Sequence, residues 1–176
     1  MPPLTIRRAT LADVAAITAI YAHAVTAGTA SFEIDPPGES EIAERLRTLA
    51  RGGFPWLVAD MHGRVGGYAY AGPFHARAGY RYTLENSVYV APECQRRGIG
   101  RALMDDLIRE ATARDFRQMV AVIGDSAQTA SIALHRAAGF TTIGTFAAVG
   151  FKFGRWLDTV LMQRALGDGA ATAPTT

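Results

Sequence analysis

The chain has 176 residues, 49% hydrophobic and 19% charged, which suits one domain with a sizeable core and leaves little room for a second. Lys and Arg number 18 against 16 Asp and Glu, a net charge of +2, and the basic residues are scattered except around 96–101, so no nucleic-acid surface is indicated. The single cysteine, Cys94, excludes an intrachain disulfide; with no cationic, apolar leader and no apolar run long enough to span a bilayer, the expected compartment is the cytoplasm.

Residues 4–8 alternate like a strand, and Thr10 with Asp13 has capping-box spacing for a helix running to about Val25, with Val14, Ile17, Tyr21 and Ala24 as its apolar stripe. Residues 39–51 predict a second helix, ended by Gly52 and Gly53. Residues 56–59 and 65–70 read as an antiparallel hairpin around His62 and Gly63. A loop over 72–79, rich in Gly, Pro and His, leads into the longest strand, 81–90. The next helix presents Ile99, Leu103, Leu107 and Ala111 on one face. Residues 119–123 show no polar alternation and predict a strand buried on both faces, the parallel neighbour of 81–90. A helix from about Thr129 to Ala138 ends at Gly139, strands follow at 141–149 and 156–165, and the small, polar residues 167–176 are expected to be a disordered tail on a domain spanning 1–166. The order is that of an α/β fold: a single domain with a mixed sheet of about seven strands, mostly antiparallel, and helices on both faces.

Between the strand ending at Val90 and the helix lies Gln95-Arg96-Arg97-Gly98-Ile99-Gly100-Arg101. Gly98 and Gly100 allow a tight turn that aims free N–H groups at one point, the helix N-terminus adds its dipole, and Arg96, Arg97 and Arg101 add charge. This predicts a cradle for an anionic, phosphate-bearing cofactor. Leu103 stands where a dinucleotide fingerprint needs a third glycine, and no Gly-Lys-Ser/Thr follows, so both nucleotide readings weaken. The pattern Gln-x-x-Gly-x-Gly after a strand resembles the acetyl-CoA pyrophosphate loop of the GNAT N-acetyltransferase superfamily, and the order of elements matches that fold.

A second segment, 128–140, resembles the GNAT motif in which a polar first residue contacts the pantetheine arm. Here Gln128 replaces the usual Asn, Ser131 keeps its place, and His135 stands where many relatives carry a Tyr that protonates the leaving thiolate. In strand 81–90 the alternation puts Thr83, Glu85, Ser87 and Tyr89 on one face and Leu84, Asn86, Val88 and Val90 on the other. Glu85, a few residues before the loop, is placed to take a proton from an ammonium group. Backbone N–H groups around Val88, Tyr89 and Val90 are the expected oxyanion and pantetheine donors, with Ile99 completing the cofactor-binding set. Plain structural roles remain open for Glu85 as a salt-bridged strand carboxylate and for His135 as a packed imidazole. Cys94 has no histidine beside it in sequence and reads as a bystander, while the histidines at 23, 62, 75 and 135 lack metal-ligand spacing, so no metal is expected.

A narrower resemblance runs from about residue 5 to 164. Residues 30–33, 70–74, 85–90 and 149–158 are similar to the phosphinothricin and methionine sulfoximine/sulfone acetyltransferases, linked to antibiotic or herbicide resistance. That resemblance implies a homodimer, a catalytic pair at Glu85 and His135, and acetyl transfer by direct attack of a small amino acid's α-amine on acetyl-CoA. Arg77 and Arg81 are expected partners for the substrate's carboxylate or phosphinate, and Phe32, Phe74, Tyr80 and Tyr82 expected pocket walls; exposed or core roles are the alternatives. A protein N-terminal or lysine acetyltransferase, and a non-catalytic acyl-CoA-binding regulatory module, are the competing readings.

Overall fold

The computed structural model describes residues 4–174, which form seven strands and four α-helices. In chain order these are β1 (Thr5–Arg8), α1 (Val14–Ala27), α2 (Glu39–Arg51), β2 (Trp56–Met61), β3 (Arg64–Pro73), β4 (Thr83–Val90), α3 (Ile99–Ala113), β5 (Gln118–Gly124), α4 (Thr129–Ala137), β6 (Thr141–Lys152) and β7 (Arg155–Ala165). One sheet holds all the strands in the order β1-β2-β3-β4-β5-β7-β6, and every pairing is antiparallel except β4 with β5. No helix among the described residues is long and apolar enough to cross a membrane.

Local chemistry accounts for the predicted boundaries. The Asp13 carboxylate accepts from the Thr10 N–H at 2.8 Å and from both terminal nitrogens of Arg7, fixing a short 3-10 turn that feeds α1. His62 (φ 56°) and Gly63 (φ 84°) turn the β2–β3 hairpin with two left-handed residues, the twist that suits a two-residue connection. Phe153 (φ 51°) and Gly154 (φ 72°) do the same between β6 and β7, which carries β6 on to Lys152, beyond the expected end at 149. Ile99, Leu103, Leu107 and Ala111 of α3 are buried as expected, packing with Leu84, Met119 and Met162 on one face of the sheet. Ile17, Tyr21 and Val25 of α1 and Ile42 and Leu46 of α2 cover the other, each large side chain contributing about 1.5–3 kcal/mol by leaving water.

One expectation needs correction. Strand β5 is not buried on both faces, because Val122 is 40% exposed. The cause is topological: β4 and β5 pair only from Thr83↔Gln118 to Asn86↔Ala121, while β4 stays with β3 as far as Val90 and β5 stays with β7 as far as Gly124. Beyond that last rung the two strands part and leave a notch. Residues 169–173 of the expected tail meet Arg117, which immediately precedes β5. Arg117 donates to Thr172 Oγ1 at 2.9 Å and to the Gly169 and Ala173 carbonyls at 3.4 and 3.2 Å; residues 175–176 of that tail, like 1–3 of the domain, lie outside the described residues.

Candidate active site

The notch follows from the strand pairings. Ser87–Val90 and Val122–Gly124 each have a hydrogen-bonded neighbour on one side only, so half of their N–H and C=O groups face an opening in the middle of the sheet. Three adjoining cavities run through it, all sharing Val88, Gln128 and Ser131. The outermost, about 440 Å³, reaches Arg96, Gly98 and Gly100; the middle one, about 300 Å³, reaches Tyr89 and α1; the innermost, about 50 Å³, ends on Asn86 and His135. A channel therefore leads from the predicted phosphate loop into the sheet.

At its mouth, Arg96 (φ 57°) and Gly98 (φ 79°) both take left-handed backbone, and the first α3 amide to find a helical carbonyl is Ala102 N–H on Gly98 O at 3.0 Å. The amides of Ile99, Gly100 and Arg101 thus point out of the helix end. Arg96 and Arg97 are exposed and make no ion pair among the described residues. Arg101 has another use: its Nε lies 2.8 Å from the Asp105 carboxylate and its guanidinium donates to Ala137 O at 2.8 Å, tying α3 to α4. Gly100 serves packing as well, since a Cβ there would stand 3.3 Å from Leu134 and 3.6 Å from Val90.

Glu85 lies opposite Gly72 of β3, on the face it shares with Tyr70, Ser87 and Tyr89 and which α1 and α2 cover. It is half-buried with no hydrogen-bond or ion-pair partner among the described residues, and burial pushes its carboxyl above the usual range, offset in part by His75 nearby. His75, packed on Phe74 and Tyr80 at 4.1 and 4.9 Å between ring centres, was not singled out from sequence; only the three-dimensional course of the loop brings it near Glu85.

His135 sits on the opposite face, with Asn86. Asn86 Nδ2 donates to Val120 O at 3.0 Å, so its Oδ1 faces His135 Nε2 at 2.9 Å, and Nδ1 lies 2.8 Å from Ser131 O. Both ring nitrogens face oxygen acceptors, of which a neutral imidazole donates to one at a time, and the ring is 4% exposed. Burial lowers its pKa, partly countered by the Ser131 carbonyl. The two residues read from sequence as a catalytic pair are therefore divided by the β4 backbone and can meet only through the notch.

The remaining expected residues divide. Phe32 packs over Gly124 and Gly150, where a Cβ would come within 2.8 and 2.3 Å of its ring. Phe74 and Tyr80 form an edge-to-face pair on the exposed loop after β3. Arg77 is exposed, and Arg81 stacks on Tyr82 at 4.6 Å while capping its own turn at Ala78 O, so neither is aimed by the fold at Glu85. Gln128, one methylene longer than Asn, reaches Thr29 Oγ1 at 3.0 Å. Thr29 in turn donates to Asp125, whose carboxyl is held below the usual range by the Ala127 N–H, Thr29 and Arg155. Cys94 is 1% exposed, packed beneath Gly66 at the wall of the outermost cavity.

The family model of the acetyltransferase (GNAT) domain matches residues 6–161. A phosphinothricin N-acetyltransferase of Alcaligenes faecalis is 51% identical over 162 residues, covering 92% of this chain and 82% of that protein. An L-methionine sulfoximine/L-methionine sulfone acetyltransferase of Salmonella typhimurium is 44% identical over 171 residues, covering 96% and 98%. Among solved structures, a GNAT superfamily phosphinothricin acetyltransferase from Sinorhizobium meliloti, in complex with AcCoA, superposes with a TM-score of 0.95 at 50% identity, covering 98% of this chain and 93% of that one.

Proposed function

The chain belongs to the GNAT acetyltransferase family, and from that premise we propose that it acetylates the α-amine of a small free amino acid or analogue, of the phosphinothricin or methionine sulfone type. It is an acetyl-CoA-dependent N-acetyltransferase, and the residues present fit that co-substrate: the amides of Ile99–Arg101 and the left-handed Gly98 suit a pyrophosphate, while the unpaired edge of Ser87–Val90 suits the amide-bearing pantetheine arm. When bound, acetyl-CoA supplies a thioester carbonyl open to attack by an amine.

The observation that carries the reading is Glu85: a half-buried carboxylate with a raised pKa and no hydrogen-bond or ion-pair partner among the described residues, on the α1–α2 side of the notch. In this role it takes the proton from the incoming ammonium, so that a neutral amine attacks directly. The N–H groups of Val88 and Val90 polarise the thioester carbonyl from β4. His135 holds Asn86, and with it the last rung between β4 and β5; it delivers a proton to the departing thiolate only by exchanging that bond. Arg77 and Arg81 would turn to the substrate's carboxylate or phosphinate on an exposed loop free to move.

The working form proposed is a homodimer in the cytoplasm. Support for a second copy comes from β6, an edge strand whose Phe146, Val149 and Phe151, with Trp156 of β7, are all more than half exposed.

Turnover with acetyl-CoA, followed by thiol release across phosphinothricin, methionine sulfone, methionine sulfoximine, the common amino acids and short peptides, tests the reading. Activity on the free amino-acid analogues is expected. Activity confined to peptides would overturn the substrate class, and acetyl-CoA binding with no turnover on any amine would point to a regulatory module.

A further inference from the structure

Lys152 takes no part in the chemistry above, yet its buried ammonium is fully engaged by the fold. Only 5% exposed near the end of β6, it donates from Nζ to Val25 O at 2.7 Å, Ser31 O at 2.8 Å and Gly28 O at 3.1 Å. All three ammonium hydrogens are spent on carbonyls from one stretch of chain, and no carboxylate is within ion-pair distance among the described residues. Val25 lies in the last turn of α1, where carbonyls lack helical partners, so the ammonium both caps that helix and grips the chain as it leaves. Two residues before Lys152, Gly150 makes room for the Phe32 ring. Three residues after it, Arg155 reaches Asp125 at 2.7 Å, and Asp125 accepts from Thr29 at 2.8 Å.

The loop over residues 28–33 is thus pinned by the β6–β7 hairpin from one side and by the Asp125 to Gln128 turn from the other. Its Ala30 lines both the innermost and the middle cavity. It closes the notch on the α1–α2 side, the side that Glu85 faces.

We propose that Lys152, with Gly150 as the seat for Phe32, is a positioning residue that fixes the 28–33 loop as a wall of the acceptor-amine pocket. It touches neither reactant and acts through the loop. The proposal rests on the reading that the acceptor approaches Glu85 from the α1–α2 side.

The full chain carrying Lys152→Met or Gly150→Ala tests it. Three measurements are made: the acceptor KM with methionine sulfone, the acetyl-CoA Kd by direct titration, and amide hydrogen exchange across the chain. Both variants are expected to raise the acceptor KM about tenfold while the acetyl-CoA Kd stays within about twofold, a split that general loss of structure would not produce. Exchange should quicken at 28–33 and not in the 96–101 loop. In a Phe32→Ala background, Gly150→Ala should lose most of its effect, because the ring it displaces is gone. An unchanged acceptor KM in the folded variants, or acetyl-CoA affinity falling in step with it, would overturn the proposal. Should Lys152→Met not fold, the Gly150 and Phe32 cycle decides the matter alone. A wild-type protein inactive on every free amino acid would sink the acceptor reading instead, and the exchange pattern at 28–33 would still test the clamp.

Discussion

Glu85→Gln separates the chemistry of this side chain from its packing. The carboxylate has no hydrogen-bond or ion-pair partner among the described residues to lose, and glutamine matches its size. Burial raises its carboxyl pKa, so the folded chain keeps this proton at pH values where the unfolded chain has released it. That contribution to stability is present at low pH and lost as pH rises through the raised value; above it, the ionised group weighs against folding. The variant is therefore expected to keep or raise Tm at pH 7 while losing activity. One general base is worth about 10²–10⁴-fold. A half-exposed carboxylate belongs at the lower end, a loss of about 10²-fold in kcat/KM near neutrality or about 2.7 kcal/mol. With the base gone, the rate should follow the free-amine fraction and climb about tenfold per pH unit below the amine pKa. Thiol release measured from pH 6 to 10, beside Tm and the acetyl-CoA Kd, reads all three effects. A fully active variant refutes the base, and so does a loss of activity accompanied by a lower Tm and weaker acetyl-CoA binding.

Other outcomes are equally specific. Because burial lowers the His135 pKa, the unfolded chain protonates first on acidification, so stability should fall as pH drops from the ordinary imidazole value toward the lowered one; His135→Gln should remove that component from Tm measured between pH 8 and 5. Gly98→Ala meets no neighbour within 4 Å but must hold φ 79°, so it should cost about 1–2 kcal/mol of backbone strain and weaken acetyl-CoA binding; a wild-type Kd would remove the cradle from the mechanism. Trp156→Glu places a charge on a residue 64% exposed in the β6–β7 hairpin and should yield a folded monomer by sedimentation, whereas a wild-type chain already monomeric at micromolar concentration would exclude the dimer.

The sequence alone determined the parts whose cause is local. A period of two sets the faces of a strand, so the division of Glu85 from Asn86 across β4 is legible in the sequence itself, as are the α3 stripe, the Thr10 to Asp13 cap and the glycine turn into α3. Tertiary structure alone decided what depends on where strands part and which distant groups converge. Nothing in the apolar run 119–123 says that pairing with β4 stops at Ala121 and opens a notch beside Val122. Nothing in the run of glycines and arginines says that Arg101 also reaches the Ala137 carbonyl, a partner that only the packing of α4 supplies. Lys152 and Val25 stand 127 positions apart, and no periodicity reports that one ammonium will satisfy three carbonyls across that distance. Hydrophobic patterning records which face a residue turns toward the core. The partner of a buried polar group is set by the whole chain's path, since such a group is tolerated only where that path supplies its hydrogen bonds.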